Sequence, residues 1–251
     1  MKVCVLSSGS KGNTTYIETD NTKILIDIGN TSKYVKEKLE EIGVKPDDLD
    51  AILITHTHID HVKGLKVFRK KYNVPVYITD LMFDELSYLD DYNILNDEFD
   101  INDMHITAIK TSHDTSDSRG YVISNNDKYI VYITDTGYIN KKYFDLLNNR
   151  DLYIMESNHD VEMLCNGKYP FKLRQRILSD KGHLSNYDSS KYLSSFIGDN
   201  TKYILLAHLS EENNTVDLAY ETLIDRLNLD NKHVDNIIIT SQDKETEFIS
   251  I

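Results

Sequence analysis

Short apolar runs rich in β-branched residues alternate with polar breaks along the whole chain. Runs at Lys2–Leu6, Thr15–Thr19, Lys23–Ile28, Ala51–Thr55, Pro75–Ile78, His105–Lys110, Tyr121–Ser124, Tyr129–Thr134, Leu152–Met155, Tyr203–Ala207 and Asn236–Thr240 predict strands. Between them the apolar spacing stretches to the helical repeat. Tyr34, Val35, Leu39 and Ile42 close at Gly43, and Val62, Leu65 and Phe68 follow a histidine cluster; Tyr192, Leu193, Phe196 and Ile197, then Leu218, Leu223 and Leu227, come late. Strand pairs lead and strand–helix alternation follows, twice over. That order predicts an α/β protein with two sheets covered by outer helices, not one doubly wound sheet. No Ser/Gly/Pro-rich tract and no internal repeat interrupts it, so residues 1–251 read as a single domain.

Composition narrows the class. Lys and Arg number 28 against 41 Asp and Glu, a formal charge of −13, which excludes a generally basic nucleic-acid coat protein. With 40% hydrophobic residues the chain is no disordered polymer. No apolar run approaches the roughly 20 residues that span a bilayer, so no membrane role is expected. Met1–Ser7 turns polar too quickly for a leader and reads as a strand. Cys4 and Cys165 both fall in apolar stretches and are expected to be inert thiols in a reducing cytoplasm.

The densest chemistry lies in Ala51-Ile52-Leu53-Ile54-Thr55-His56-Thr57-His58-Ile59-Asp60-His61. In extended chain His56 and His58 point the same way. Asp60 and His61 fall on the turn into a helix and face a second point nearby. One metal ion cannot use all four, whereas two ions ~3.5–4 Å apart can. A single histidine after a strand reads more simply as part of a solvated loop; this cluster does not. The same grammar recurs downstream. His113, Asp135, Glu156 and His208 each follow the carboxyl end of an apolar strand. Strands lying side by side would bring those ends to one rim, where α/β proteins place their sites.

These residues resemble the metallo-β-lactamase fold hydrolases, and within them the YycJ or WalJ-like branch. Ser7–Asn13 is similar to that family's opening loop, His56-Thr57-His58-Ile59-Asp60-His61 to its metal motif and Ser112-His113-Asp114 to its next histidine. Thr134–Tyr138 is similar to its bridging-aspartate segment. Glu156–Asp160, Gly182–Asn186 and Ala207–Asn214 resemble its later motifs, which also resemble those of ribonuclease Z. The resemblance implies a four-layer αββα sandwich. It implies that His56, His58 and His113 hold one divalent metal, that Asp60, His61 and His208 hold another, and that Asp135 bridges them. His183, oriented by Glu156, would contact the scissile phosphate or protonate the leaving oxygen, and Asp60 is counted with them among the catalytic groups. His159 would support the site or cap the following helix, while His105 and His233 fit no motif. Two divalent ions less two carboxylates leave about +2 at the centre, which suits a phosphodiester and an acidified bridging water. The nitrogen and oxygen donors fit zinc, manganese or iron. Ser7–Asn13 has two glycines but lacks Gly-Lys-Ser/Thr, so it reads as a hairpin loop that props the site.

The charge is segregated. Asn166–His183 carries Lys168, Lys172, Arg174, Arg176 and Lys181 against Asp180 alone, and reads either as a nucleic-acid contact or as a helix with Phe171, Leu173 and Ile177 inward. Asp80–Asp103 carries nine acids and no Lys or Arg, and reads as a solvated helix and loop. The expected activity is therefore phosphodiester hydrolysis. The resemblance implies a DNA exonuclease working from the 5′ end. Rival readings are a cyclic-nucleotide phosphodiesterase, a thioester or lactone hydrolase, and a regulatory protein on a retired hydrolase fold. The family resemblance also implies a homodimer, which no sequence feature encodes.

Overall fold

Alternate residues of β1 (Lys2–Ser7) face opposite ways, and this period-two rule accounts for the layering. Val3 and Val5 enter an apolar cluster shared with the second sheet, including Ile106, Ile130 and Leu205. Cys4 and Leu6 enter another with Val35, Leu39, Leu65 and Phe68 from outer helices. The computed structural model describes residues 1–251 and shows the expected αββα sandwich.

The first sheet runs β14 (Ile249–Ser250), β1, β2 (Thr14–Glu18), β3 (Lys23–Ile26), β4 (Ala51–Leu53), β5 (Val76–Ile78), β6 (Asn93–Ile94). The second runs β13 (Asn236–Ile239), β12 (Tyr203–Ala207), β11 (Leu152–Glu156), β10 (Lys128–Ile133), β9 (Arg119–Asn125), β8 (Met104–Lys110), β7 (Glu98–Ile101). In it β7 to β10 pair antiparallel and β10 to β13 pair parallel. Strands β8, β10, β11 and β12 therefore end on the same edge. The strand-end residues of the second sheet converge there.

Helix α1 (Ser32–Glu41) starts at Thr31, whose hydroxyl accepts from the Tyr34 amide, and stops before Gly43 at φ +77°. The helical pattern around Val62 is two pieces, α2 (Ile59–Val62) and α3 (Leu65–Tyr72), broken at Gly64. There the amide donates to the Ile28 carbonyl at 3.0 Å, and a Cβ would lie 2.2 Å from the Asn30 carbonyl oxygen. The short helices α4 (Asp80–Phe83), α5 (Phe144–Leu147), α6 (Val161–Asn166) and α7 (Phe171–Ile177) sit in connections. Helices α8 (Asn186–Phe196) and α9 (Val216–Leu229) cover the second sheet through Leu193, Phe196, Leu223 and Leu227.

Three expectations need correction. The acidic stretch is more than a solvated helix and loop: all its acids but Asp103 are exposed, yet it also holds β6 and β7, because Leu86, Leu89, Leu95 and Ile101 between the acids are buried. Cys165 lies exposed on α6, while Cys4 is buried, with its thiol pushed up to about 11 by burial. Phe171 does not face inward; it is 64% exposed, and Ile177 is the buried residue of α7.

Candidate metal centre

Each candidate side chain sits where a strand runs out. From β4, Ile54 and Thr55 lead to His56 and His58, and α2 then turns Asp60 and His61 back toward them. The turn is pressed tightly on the loop after β3. A Cβ on Gly29 would lie 1.7 Å from the Asp60 carbonyl oxygen, so only glycine fits. The Asn13 amide donates to the same carbonyl at 2.8 Å, and its side-chain nitrogen reaches Asp60 Oδ2 at 3.3 Å and lies 3.0 Å from His61 Nε2. The opening loop between β1 and β2 thus braces the histidine cluster. Asp135 and His208 leave β10 and β12 in the left-handed region, at φ +53° and +56°. Non-glycine residues there cost of order 1 kcal/mol or more, and such strain gathers at functional sites.

The structure brings all seven candidate ligands together. His56, His58 and His113 offer nitrogens within 4.8 Å of one another, and so do the donor atoms of Asp60, His61 and His208. Asp135 lies between the groups: its Oδ2 is 3.2 Å from His61 Nε2 and its Oδ1 3.8 Å from His113 Nε2. Behind this ring the opposite nitrogens are tied back. His61 Nδ1 meets Asp27 Oδ2 at 2.7 Å, His113 Nδ1 the Gly182 carbonyl at 3.0 Å, and His208 Nδ1 Glu156 Oε1 at 3.0 Å. His56 Nδ1 meets the Thr55 hydroxyl at 3.1 Å. Such backing fixes ring orientation and tautomer at metal sites.

The atoms left over fit a cation. His56 Nε2, His208 Nε2 and Asp135 Oδ2 are buried without a hydrogen-bond partner. An orphaned buried polar atom costs roughly 1–3 kcal/mol, and a cation in each of the two donor groups would give these atoms a partner. The protons say the same. Burial opposes charging His61, yet Asp135, Asp27 and Asp60 raise its pKa well above the imidazole range. Burial likewise opposes charging His208, but Asp135, Asp60 and Glu156 carry it up to about 10. Burial and the charged His61 push His56 well down, so it stays neutral. The raised pKa of His61 and His208 favours their charged forms in the metal-free chain, and ligation must expel the extra protons. Metal loading is therefore expected to release about two protons near pH 7, and affinity to climb as pH rises toward the His208 value. Calorimetric titration in buffers of different ionisation enthalpy reads this number; no buffer dependence would contradict the assignment.

His183 lies beside the ring, with Nδ1 2.6 Å from Glu156 Oε1 and 3.6 Å from Asp135 Oδ1. Glu156 is fully buried, and its Oε2 accepts from the Thr136 and Leu184 amides at 3.1 Å each. One carboxylate thus holds His183 and His208 together. His159 is buried with neither ring nitrogen partnered, its pKa pulled down to about 4 by burial. It does not cap α6; the Asp160 side chain does, accepting from the Met163 amide. His105 and His233 are exposed and pair with Asp100 and Asp235.

Asp27 is the residue the sequence pattern hid. It is fully buried at φ +62°, receiving the Thr55 amide and hydroxyl as well as His61. A charged residue inside the apolar run Lys23–Ile28, just before Gly29, was its signal. Asp27 and Glu156 add two acidic side chains behind the ring, beyond the two ligand carboxylates that leave about +2 with two divalent ions.

A fold of this kind, carrying a ring of histidines and aspartates on one sandwich edge, defines a hydrolase class, and residues 8–208 match the metallo-beta-lactamase superfamily. The chain belongs to that superfamily. It is 39% identical over 236 residues to the exodeoxyribonuclease WalJ of Streptococcus pneumoniae (strain D39), covering 90% of this chain and 88% of that protein. It is 38% identical over 224 residues to the exodeoxyribonuclease YycJ of Bacillus anthracis, covering 86% and 84%. Among solved structures, the metallo-beta-lactamase fold protein YhfI from Bacillus subtilis superposes with a TM-score of 0.76 over 98% of this chain and 99% of that one, at 18% identity. No helix is long and apolar enough to cross a membrane.

Proposed function

We propose that this protein is a metal-dependent exodeoxyribonuclease, with residues 1–251 acting as one catalytic domain and two divalent cations, zinc or manganese, as its cofactor. The observation that carries the reading is the His183–Glu156 pair placed against the ligand ring, in a chain whose relatives matched over most of its length are named exodeoxyribonucleases. His56, His58 and His113 would hold one cation, Asp60, His61 and His208 the other, and Asp135 both. Bound there, the cations supply Lewis acidity toward a phosphoryl oxygen and an acidified water.

The chain supplies the remaining steps. A pocket of about 220 Å³, with His58, Asp60, Asp135, His183 and His208 in its wall, receives the scissile phosphate. Glu156 accepts from His183 Nδ1, which leaves Nε2 as the nitrogen that gives its proton to the departing oxygen. The buried carboxylate stabilises the imidazolium before transfer and holds the ring in place. Asp60, with Oδ2 3.5 Å from both His61 Nε2 and His208 Nε2, would be the carboxylate of the donor set that holds their cation and, as an acceptor, would orient the attacking water.

The test is a hydrolysis panel. The metal-loaded protein is offered end-labelled single-stranded and duplex DNA, cyclic nucleotides and a thioester, each with zinc or manganese. Stepwise release of nucleotides from the 5′ end supports the reading in full. Turnover of cyclic nucleotides or the thioester with inert DNA would overturn it.

A further inference from the structure

Asp27 and Glu156 stand behind the ligand ring and offset part of the positive charge two cations would bring, and the chain as a whole is at −13. The cationic groups near the pocket therefore matter. Helix α7 forms one wall of it: Leu173, Arg176 and Ile177, with Tyr169 just before the helix, line the same cavity as the ligand ring. Leu173 and Ile177 are one turn apart on the row facing the pocket, and Lys172 and Arg176 form the adjoining row. Lys172 and Arg176 are exposed.

Arg176 is not a free surface cation. Its Nε and Nη2 donate to the two oxygens of Asp114, the latter at 2.9 Å, which fixes the plane of the guanidinium at the mouth of the pocket. Asp114 follows His113, with Oδ1 3.6 Å from His113 Nε2. Half of the Arg176 side chain still meets solvent, and Nη1 makes no bond within the chain. The arrangement pre-orients an arginine and leaves one edge available to an anion. A guanidinium held this way recognises phosphate with less ordering cost than a mobile lysine.

We propose that Arg176 is a substrate-positioning residue that grips a backbone phosphate of the DNA strand next to the scissile one, with Asp114 as the support that aims it. The proposal rests on the exodeoxyribonuclease reading and adds the group that registers the strand against the metals. Lys172 extends the same face away from the pocket and takes a further phosphate more loosely.

The experiment compares wild type with Arg176→Ala, Arg176→Lys and Asp114→Asn, all metal-loaded, on a single-stranded oligodeoxynucleotide between about 50 and 200 mM salt. Arg176→Ala is expected to raise KM about tenfold and to flatten the log–log salt dependence of kcat/KM by about one charge. Arg176→Lys keeps the slope with an intermediate KM. Asp114→Asn also keeps the slope, because the cation remains. If Arg176 only pins α7, Arg176→Ala and Asp114→Asn will raise KM alike with no change of slope, and the proposal fails. A wild type that neither cuts nor binds DNA overturns the nuclease reading along with it, whereas an active wild type with an unaltered Arg176→Ala slope overturns this one alone.

Discussion

Replacing His183 with alanine is expected to lower turnover on DNA by about 10²–10⁴-fold, the usual size of a general acid–base contribution. His183 also falls with Asp135, Glu156 and His208 in a group of donor atoms within 4.8 Å of one another, so metal analysis decides between acid and ligand: unchanged metal content is the outcome expected of an acid, with Glu156 retaining His208 as a partner. The loss should fall on kcat more than on KM, since the proton is needed as the leaving oxygen acquires charge and not before. Glu156→Gln makes the contrast. That carboxylate accepts from both His183 and His208, so its amide replacement should reduce turnover and weaken metal together. Metal analysis beside steady-state kinetics separates the two. A His183→Ala protein with near-normal turnover would remove the acid role.

Asp27→Asn is expected to weaken metal binding by about 10–100-fold, the range for losing a carboxylate behind a ligating histidine. The reason is directional. Asp27 Oδ1 receives the Thr55 amide and Oδ2 the Thr55 hydroxyl and His61 Nδ1, all at 2.7–2.8 Å. An asparagine must aim its amide hydrogens at one of these donors, which turns His61 or releases Thr55. His61 would then no longer present Nε2 to the ring in a fixed tautomer. Competition with a chromophoric chelator measures the change, and thermal unfolding of the metal-free variant checks that the fold persists. Unchanged affinity would show that Asp27 serves packing alone.

The four layers and the seven candidate ligands were legible because both follow rules local to a strand: side chains alternate, and a polar residue just past an apolar run lands on the edge of the sheet. What was illegible depends on partners far along the chain. Asp27 reads as one polar interruption between Ile26 and Ile28, and its meaning comes from Thr55 and His61 packed on it. Gly64 falls unmarked inside the helical pattern of Val62, Leu65 and Phe68, and its role appears only when the loop at Asn30 is laid against it. Strands β6 and β14 are two residues each, too short to show a period. Phe171 carries the right residue type for a helix interior, but α7 is a single exposed wall with the pocket on one side. The count of about +2 at the centre took in the ligand carboxylates alone and left out Asp27 for the same reason, since its neighbourhood with His61 is set by folding.

The ligand ring draws from both halves of the sandwich, His56, His58, Asp60 and His61 from the first and His113, Asp135 and His208 from the second. A cation seated there would act as a clasp joining two layers otherwise held by apolar packing and a few hydrogen bonds, such as Tyr121 to the Ile54 carbonyl and the Arg119 amide to the Thr55 carbonyl. Losing it would unfasten the open rim first, so that starvation for metal becomes a mechanical event, felt as fraying between the sheets well before either one comes apart.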